Sequence, residues 1–150
     1  NLLGRVFMEP LECPFSTAER EIERLTGKCD AILVDFHAEA TSEKVALARF
    51  LDGRCAAVVG THTHVQTADE QIFPLGTGYI TDVGMTGPID SVIGVTADAV
   101  IARFRTGLPV EFKVADGRLG LHAVIISIDE KSGRTEQIQR IRLIEDGLES

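Results

Sequence analysis

Asp30-Ala31-Ile32-Leu33-Val34-Asp35-Phe36 and Ala56-Ala57-Val58-Val59-Gly60 are two short apolar runs with no polar alternation at their centres. Such runs read as strands buried on both faces, which is the pattern of a parallel sheet. Between them Thr41 or Ser42 can cap a helix in which Leu47, Phe50 and Leu51 share a face, ending near Gly53. Upstream, Ser16-Thr17-Ala18-Glu19 has the form of a capping box, and Ala18, Ile22 and Leu25 follow at helical spacing as far as Gly27. Helix, strand, helix, strand is the order of an α/β fold, and right-handed crossovers place the carboxyl ends of both strands on one edge.

Further along, Tyr79 to Gly84 reads as one more short strand opening into a Gly and Pro turn, Gly84-Met85-Thr86-Gly87-Pro88, to which no catalytic role is assigned. Ala97 to Thr106 reads as a third helix, capped by Thr96, with Val100, Ile101 and Phe104 inward and Gly107 and Pro109 as its stop. The pattern then becomes antiparallel. Val110 to Ala115, a turn at Asp116-Gly117, Leu119 to Ile128, a turn at Ser132-Gly133 and Thr135 to Leu143 predict successive hairpins, followed by a polar tail from Glu145 to Ser150.

The 150 residues suit one domain, and 44% hydrophobic content is enough for a single core. A net charge of -8, with no basic run longer than a pair, excludes nucleic-acid coating and polybasic docking to a membrane. No apolar run approaches the roughly 18 residues that span a bilayer. Cys13, Cys29 and Cys55 are odd in number and far apart, without a Cys-x-x-Cys pair. They read as small apolar residues in a reducing compartment, and the expected location is cytoplasmic. Asn1 to Met8 begins inside an apolar pattern with no initiator Met, as an interior cut does.

Three of the four histidines follow the two buried strands: His37 after the first, His62 and His64 after the second. The carboxyl edge is where α/β sheets place ligands. In extended chain His62 and His64 point to the same side, with His37 arriving from the neighbouring strand. A single histidine at a strand end more often bonds a loop carbonyl. Three at one edge, beside Asp35, Glu39 and Asp69, point instead to a divalent transition metal. The carboxylates also have plainer roles, Glu39 and Glu43 at a helix start and Asp69-Glu70 in solvent.

Three blocks carry a resemblance: Leu33-Val34-Asp35-Phe36-His37-Ala38-Glu39-Ala40-Thr41-Ser42-Glu43-Lys44, Val59-Gly60-Thr61-His62-Thr63-His64-Val65-Gln66-Thr67-Ala68-Asp69, and Thr81-Asp82-Val83-Gly84-Met85-Thr86-Gly87-Pro88. In this order they closely resemble the YmdB-like branch of the calcineurin-like metallophosphoesterases. The resemblance implies a four-layer α/β/β/α sandwich and a two-metal phosphodiesterase that hydrolyses 2',3'- or 3',5'-cyclic nucleotides with an activated water, iron or manganese being the metal. It assigns His37 and His62 to one cation and His64 to the other. The family's Asp, bridging Glu, Asn and Asn-His pair have no counterpart motif here, and His122, on a predicted hairpin strand, does not match the general-acid histidine. Residues 1–150 are therefore expected to be the C-terminal part of one such domain, with weak metal affinity and little turnover alone.

Three other readings compete. Barrel amidohydrolases also use His-x-His, but need eight βα units. Capsule-synthesis-type metallophosphatases place a His pair after a buried strand, but lack the His37-Ala38-Glu39-Ala40-Thr41 block. A regulatory or scaffold protein could keep the fold and work through a partner surface. The expected ligand is a small cyclic nucleotide and the expected assembly a homo-oligomer, while the apolar terminal hairpin strands could equally form an intersubunit face or cover this domain's own sheet.

Overall fold

A computed structural model describes residues 1–9 and 11–145 of the chain. In chain order its elements are β1 (Leu2–Leu3), α1 (Pro14–Leu25), β2 (Leu33–His37), α2 (Thr41–Phe50), β3 (Ala57–Thr61), β4 (Gln71–Ile72), β5 (Gly78–Ile80), β6 (Thr86–Pro88), α3 (Ala97–Thr106), β7 (Leu119–Ile128) and β8 (Thr135–Glu145). The fold is mixed α/β, with one sheet ordered β1-β2-β3-β5-β4 and another ordered β6-β7-β8. The chain forms two compact units, Asn1–Gly84 with Val124–Arg140, and Met85–Ala123 with the residues from Ile141.

In the first unit β1, β2, β3 and β5 run parallel, and β4 closes the edge antiparallel to β5. One core cluster joins Ala18 and Ile22 of α1, Leu47 of α2, and Leu51 just beyond it to Val34, Phe36, Val58 and Tyr79 of the sheet. Phe15 and Phe50 meet edge to face, with ring centroids 5.6 Å apart.

Several local expectations change. The capping box does not form. α1 starts three residues earlier, with Cys13 at the cap and Pro14 in the first turn, where a fixed φ and a missing N–H carry no penalty. β2 alternates instead of being buried on both faces: Val34 and Phe36 point inward, while Leu33 is 56% exposed. In α2 Leu47 is buried, whereas Phe50 stays partly exposed against Phe15. Gly60 in β3 answers to a close approach, because a Cβ there would lie 1.7 Å from the Thr81 carbonyl oxygen. All three cysteines are free thiols. Cys55 is buried, and burial pushes its thiol up to about 11, but Cys29 is exposed.

In the second unit α3 forms where expected, yet only Val100 is buried; Ile101 and Phe104 are 51% and 80% exposed. The predicted strand Val110 to Ala115 is absent as a strand. Its backbone instead bonds the loop before α3, Thr96 N–H to the Lys113 carbonyl and Ala115 N–H to the Gly94 carbonyl. The strand that pairs with the start of β7 is β6, from the segment read as a turn. The hairpin of β7 and β8 is present, with Gly133 at φ +66 in its turn. Of the expected polar tail, Glu145 ends β8, and 146–150 lie outside the described residues.

Candidate metal-binding site

Parallel pairing in register sets the site. His37, the last residue of β2, lies opposite Thr61, the last residue of β3, and Leu3 of β1 lies opposite His37 on the other side. The carboxyl edge of the sheet thus brings the residues after β3 beside the end of β2.

A continuous run of hydrogen bonds crosses this edge. Thr61 Oγ1 donates to Asp35 Oδ1 at 3.0 Å and lies 3.1 Å from His37 Nδ1. An ionised carboxylate only accepts, so the Thr61 proton belongs to Asp35, and His37 must donate from Nδ1 to the threonine oxygen. The His37 Nε2 lone pair is then free. On the other side His62 Nε2 lies 2.7 Å from Glu39 Oε2. By the same reasoning His62 donates from Nε2 to Glu39, which leaves its Nδ1 either with a lone pair or as a donor to His37 Nε2. These two nitrogens, His37 Nε2 and His62 Nδ1, face each other at 3.1 Å, with the rings edge to face and their centroids 4.9 Å apart.

Two neutral imidazoles do not hold lone pairs that close without a cation or a shared proton between them. The distance itself fits a metal. With metal–nitrogen bonds of about 2.1 Å, two ligands to one cation stand about 3.0 Å apart at a right angle and about 3.4 Å apart at the tetrahedral angle. The outer nitrogens are held by Glu39 and by the Thr61 to Asp35 link, the arrangement that fixes tautomer and ring orientation in metal-binding histidines. The pair fits two positions of a transition-metal site, but a complete site needs more. Among the described residues no group of three or more His, Cys, Asp or Glu side chains is placed to hold a metal.

The chain that carries His64 departs from the extended path expected of it. The chain after β3 is not extended: it bends, with His62 at φ +120 and His64 at φ +65, so the two rings are not set on one side by strand geometry. His37 and His62 come together; His64 does not join them as a third ligand of one group.

The carboxylates sort themselves. Glu39 bonds His62. Glu43, mostly buried, accepts the N–H groups of Arg5 at 2.9 Å and Val6 at 3.2 Å, tying the turn after β1 to α2. Asp69 is no solvated acid: it accepts from the hydroxyl of Thr67 at 2.6 Å and from both the N–H and the hydroxyl of Thr81. Burial works against its charge, but these donors outweigh it and hold the carboxyl below the usual range.

Sequence reasoning missed the buried pair of Lys44 and Asp82. Lys44 Nζ and Asp82 Oδ2 form an ion pair at 3.0 Å, with side chains 1% and 0% exposed. The available signal was helical: Lys44, Leu47, Ala48 and Leu51 share one stripe, so a lysine stood on an apolar face. His122, on β7, has both ring nitrogens buried without partners, and burial together with Arg142 lowers its pKa.

A family model described as YmdB-like protein matches residues 1–141. The chain belongs to the YmdB-like family. It is 52% identical over 148 residues to the 2',3'-cyclic-nucleotide 2'-phosphodiesterase of Bacillus subtilis (strain 168), covering 99% of this chain and 56% of that protein. Among solved structures, a hypothetical protein from Thermus thermophilus superposes with a TM-score of 0.89 at 48% identity, covering 95% of this chain and 55% of the other. A structure described as a novel phosphatase of Mycoplasma pneumoniae gives a TM-score of 0.87 at 39% identity, covering 97% of this chain and 52% of the other. The chain spans about half the length of the curated relatives it matches. Of the histidine blocks, His37 and His62 thus meet in a YmdB-like fold.

Proposed function

We propose that the complete YmdB-like protein is a metal-dependent phosphodiesterase acting on cyclic nucleotides, 2',3'-cyclic monophosphates first and 3',5'-cyclic monophosphates second. The carrying observation is the pair of imidazole nitrogens, His37 Nε2 and His62 Nδ1, converging at 3.1 Å. The substrate class rests on the name of the Bacillus subtilis relative.

In this reading His37 and His62 ligate one cation and His64 a second, with iron or manganese as the metal. Two imidazoles leave the first cation short of donors, and a two-metal site needs a bridging anionic ligand as well. Those ligands, and the general acid, would come from outside these 150 residues, which fits the half-length match. The whole would then be a four-layer α/β/β/α domain of which this chain is the C-terminal part. Bound cations would neutralise charge on the phosphoryl oxygens and strengthen a water as nucleophile near neutral pH. This chain's own contribution is orientation: Glu39 and the Thr61 to Asp35 link hold both rings in the tautomer that presents a lone pair inward.

No described helix is long and apolar enough to cross a membrane. Free thiols, one of them exposed, suit a reducing cytoplasm. The exposed Leu119, Leu121, Leu143 and Ile144 of the hairpin suit a homo-oligomer.

The test is hydrolysis of 2',3'-cyclic AMP by the complete protein, stripped of metal and then reloaded with Mn(II), beside a His62→Ala variant. Turnover that is lost on stripping, restored by the metal and absent from the folded variant is expected. Equal turnover by stripped and reloaded protein would contradict the reading.

A further inference from the structure

The pair Lys44 and Asp82 has no part in the ligand set, and its burial is costly. Taking an ammonium and a carboxylate out of water is repaid only in part by their mutual attraction, and apolar replacements of such pairs are often no less stable. Stability is therefore a poor reason for placing a lysine on the apolar stripe of α2. The contacts of Asp82 give a better one.

Asp82 lies two residues beyond β5, on the same carboxyl edge as His37 and Thr61. Its Oδ2 accepts both Lys44 Nζ at 3.0 Å and the backbone N–H of Thr63 at 2.9 Å, and its Oδ1 accepts the N–H of Gly84 at 2.9 Å. Its own N–H donates to Thr67 Oγ1 at 2.9 Å, and its carbonyl accepts the Thr67 N–H at 3.0 Å. Thr63 stands between His62 and His64, both of which are held at positive φ. Residues without glycine's freedom stay in that region only where the surroundings hold them there. The Lys44 stem passes close to Gly60, so the cation is seated under the strand that leads into the bend.

We propose that Lys44 and Asp82 are positioning residues for the His62-Thr63-His64 bend: the buried cation pins the Asp82 carboxylate, and the carboxylate grips the Thr63 N–H so that His62 Nδ1 meets His37 Nε2. Neither residue belongs to the proposed ligand set. The inference rests on the reading of His37 and His62 as metal ligands. It predicts that metal affinity and fold stability separate when the charge pair is removed.

The experiment is calorimetric titration of Mn(II) into the complete protein as wild type and as Lys44→Met/Asp82→Asn, with the melting temperature of each measured metal-free. The double variant removes both charges together, leaving no lone buried ion. It is expected to melt within a few degrees of the wild type and to bind Mn(II) about 10- to 100-fold more weakly, the range for losing a group that orients a ligand. Asp82→Glu, which keeps the charge but moves the carboxylate by one methylene, is expected to weaken binding in the same direction and decides the matter if the double variant does not fold. Unchanged Mn(II) affinity in the folded variants would overturn the proposal. Wild-type protein that binds no Mn(II) would overturn the metal reading beneath it.

Discussion

His37 Nε2 and His62 Nδ1 stand 3.1 Å apart at the carboxyl ends of two paired parallel strands, each ring with its other nitrogen already engaged. The relationship has three causes in the chain. Register places His37 beside Thr61, the bend after β3 turns His62 back toward β2, and Glu39 and Thr61 fix which nitrogen of each ring faces inward.

The Thr61 hydroxyl is the adjustable part of this network. Thr61→Val keeps the shape and removes the link from Asp35 to His37, freeing His37 to protonate at Nε2, where it cannot bind a cation. The stability loss should be about 1 kcal/mol, while Mn(II) affinity of the complete protein should fall about 10-fold or more. Titration calorimetry beside thermal melting checks both. A loss of stability with full metal affinity would show that Thr61 only supports the strand.

Gly60 is predicted to tolerate no side chain. The Thr81 carbonyl oxygen 1.7 Å from the position of a Cβ cannot give way without breaking the sheet edge that carries the site. Gly60→Ala should cost about 3 kcal/mol or more, read as a fall in urea midpoint. A midpoint within experimental error of the wild type would contradict the close packing of β3 against the chain beyond β5.

These two sites show what could be read in advance. Ala56 to Gly60 announced a buried parallel strand because its neighbours on both sides are protein, and Asp35, His37 and His62 could be placed at one edge from strand order alone. Leu33 could not be recognised as exposed, since an apolar run carries no mark of which face is left uncovered. Val110 to Ala115 alternates like a strand but follows Pro109, and its backbone groups find partners in the loop before α3. Ile101 and Phe104 fit a buried helical stripe, yet α3 leaves them exposed. The Lys44 pair was hidden for a different reason: its partner is 38 residues away, and only the tertiary fold joins them.

Acid should loosen the site's supports in a defined sense. For Asp69 and Asp82 burial opposes the charge, but hydrogen bonds, and for Asp82 also Lys44, outweigh it, so both carboxyls titrate below their usual value in the folded chain. A depressed carboxyl contributes stability that is present above the unfolded value of about 4 and is lost as pH falls through the folded value. The melting temperature should therefore hold above about pH 5 and drop below about pH 4. Asp69→Asn should lower it at pH 7 and flatten the acid limb. An acid limb as steep in the variant as in the wild type would assign the effect elsewhere.

If His37 and His62 share one cation, anomalous scattering from crystals of the Mn(II)-loaded complete protein will locate it. A manganese peak is expected bonded to His37 Nε2 and His62 Nδ1, about 2.1 Å from each as ligand nitrogens require, with Glu39 still on His62 Nε2. A manganese peak away from both nitrogens, or bonded to only one of the two rings, would contradict a shared cation.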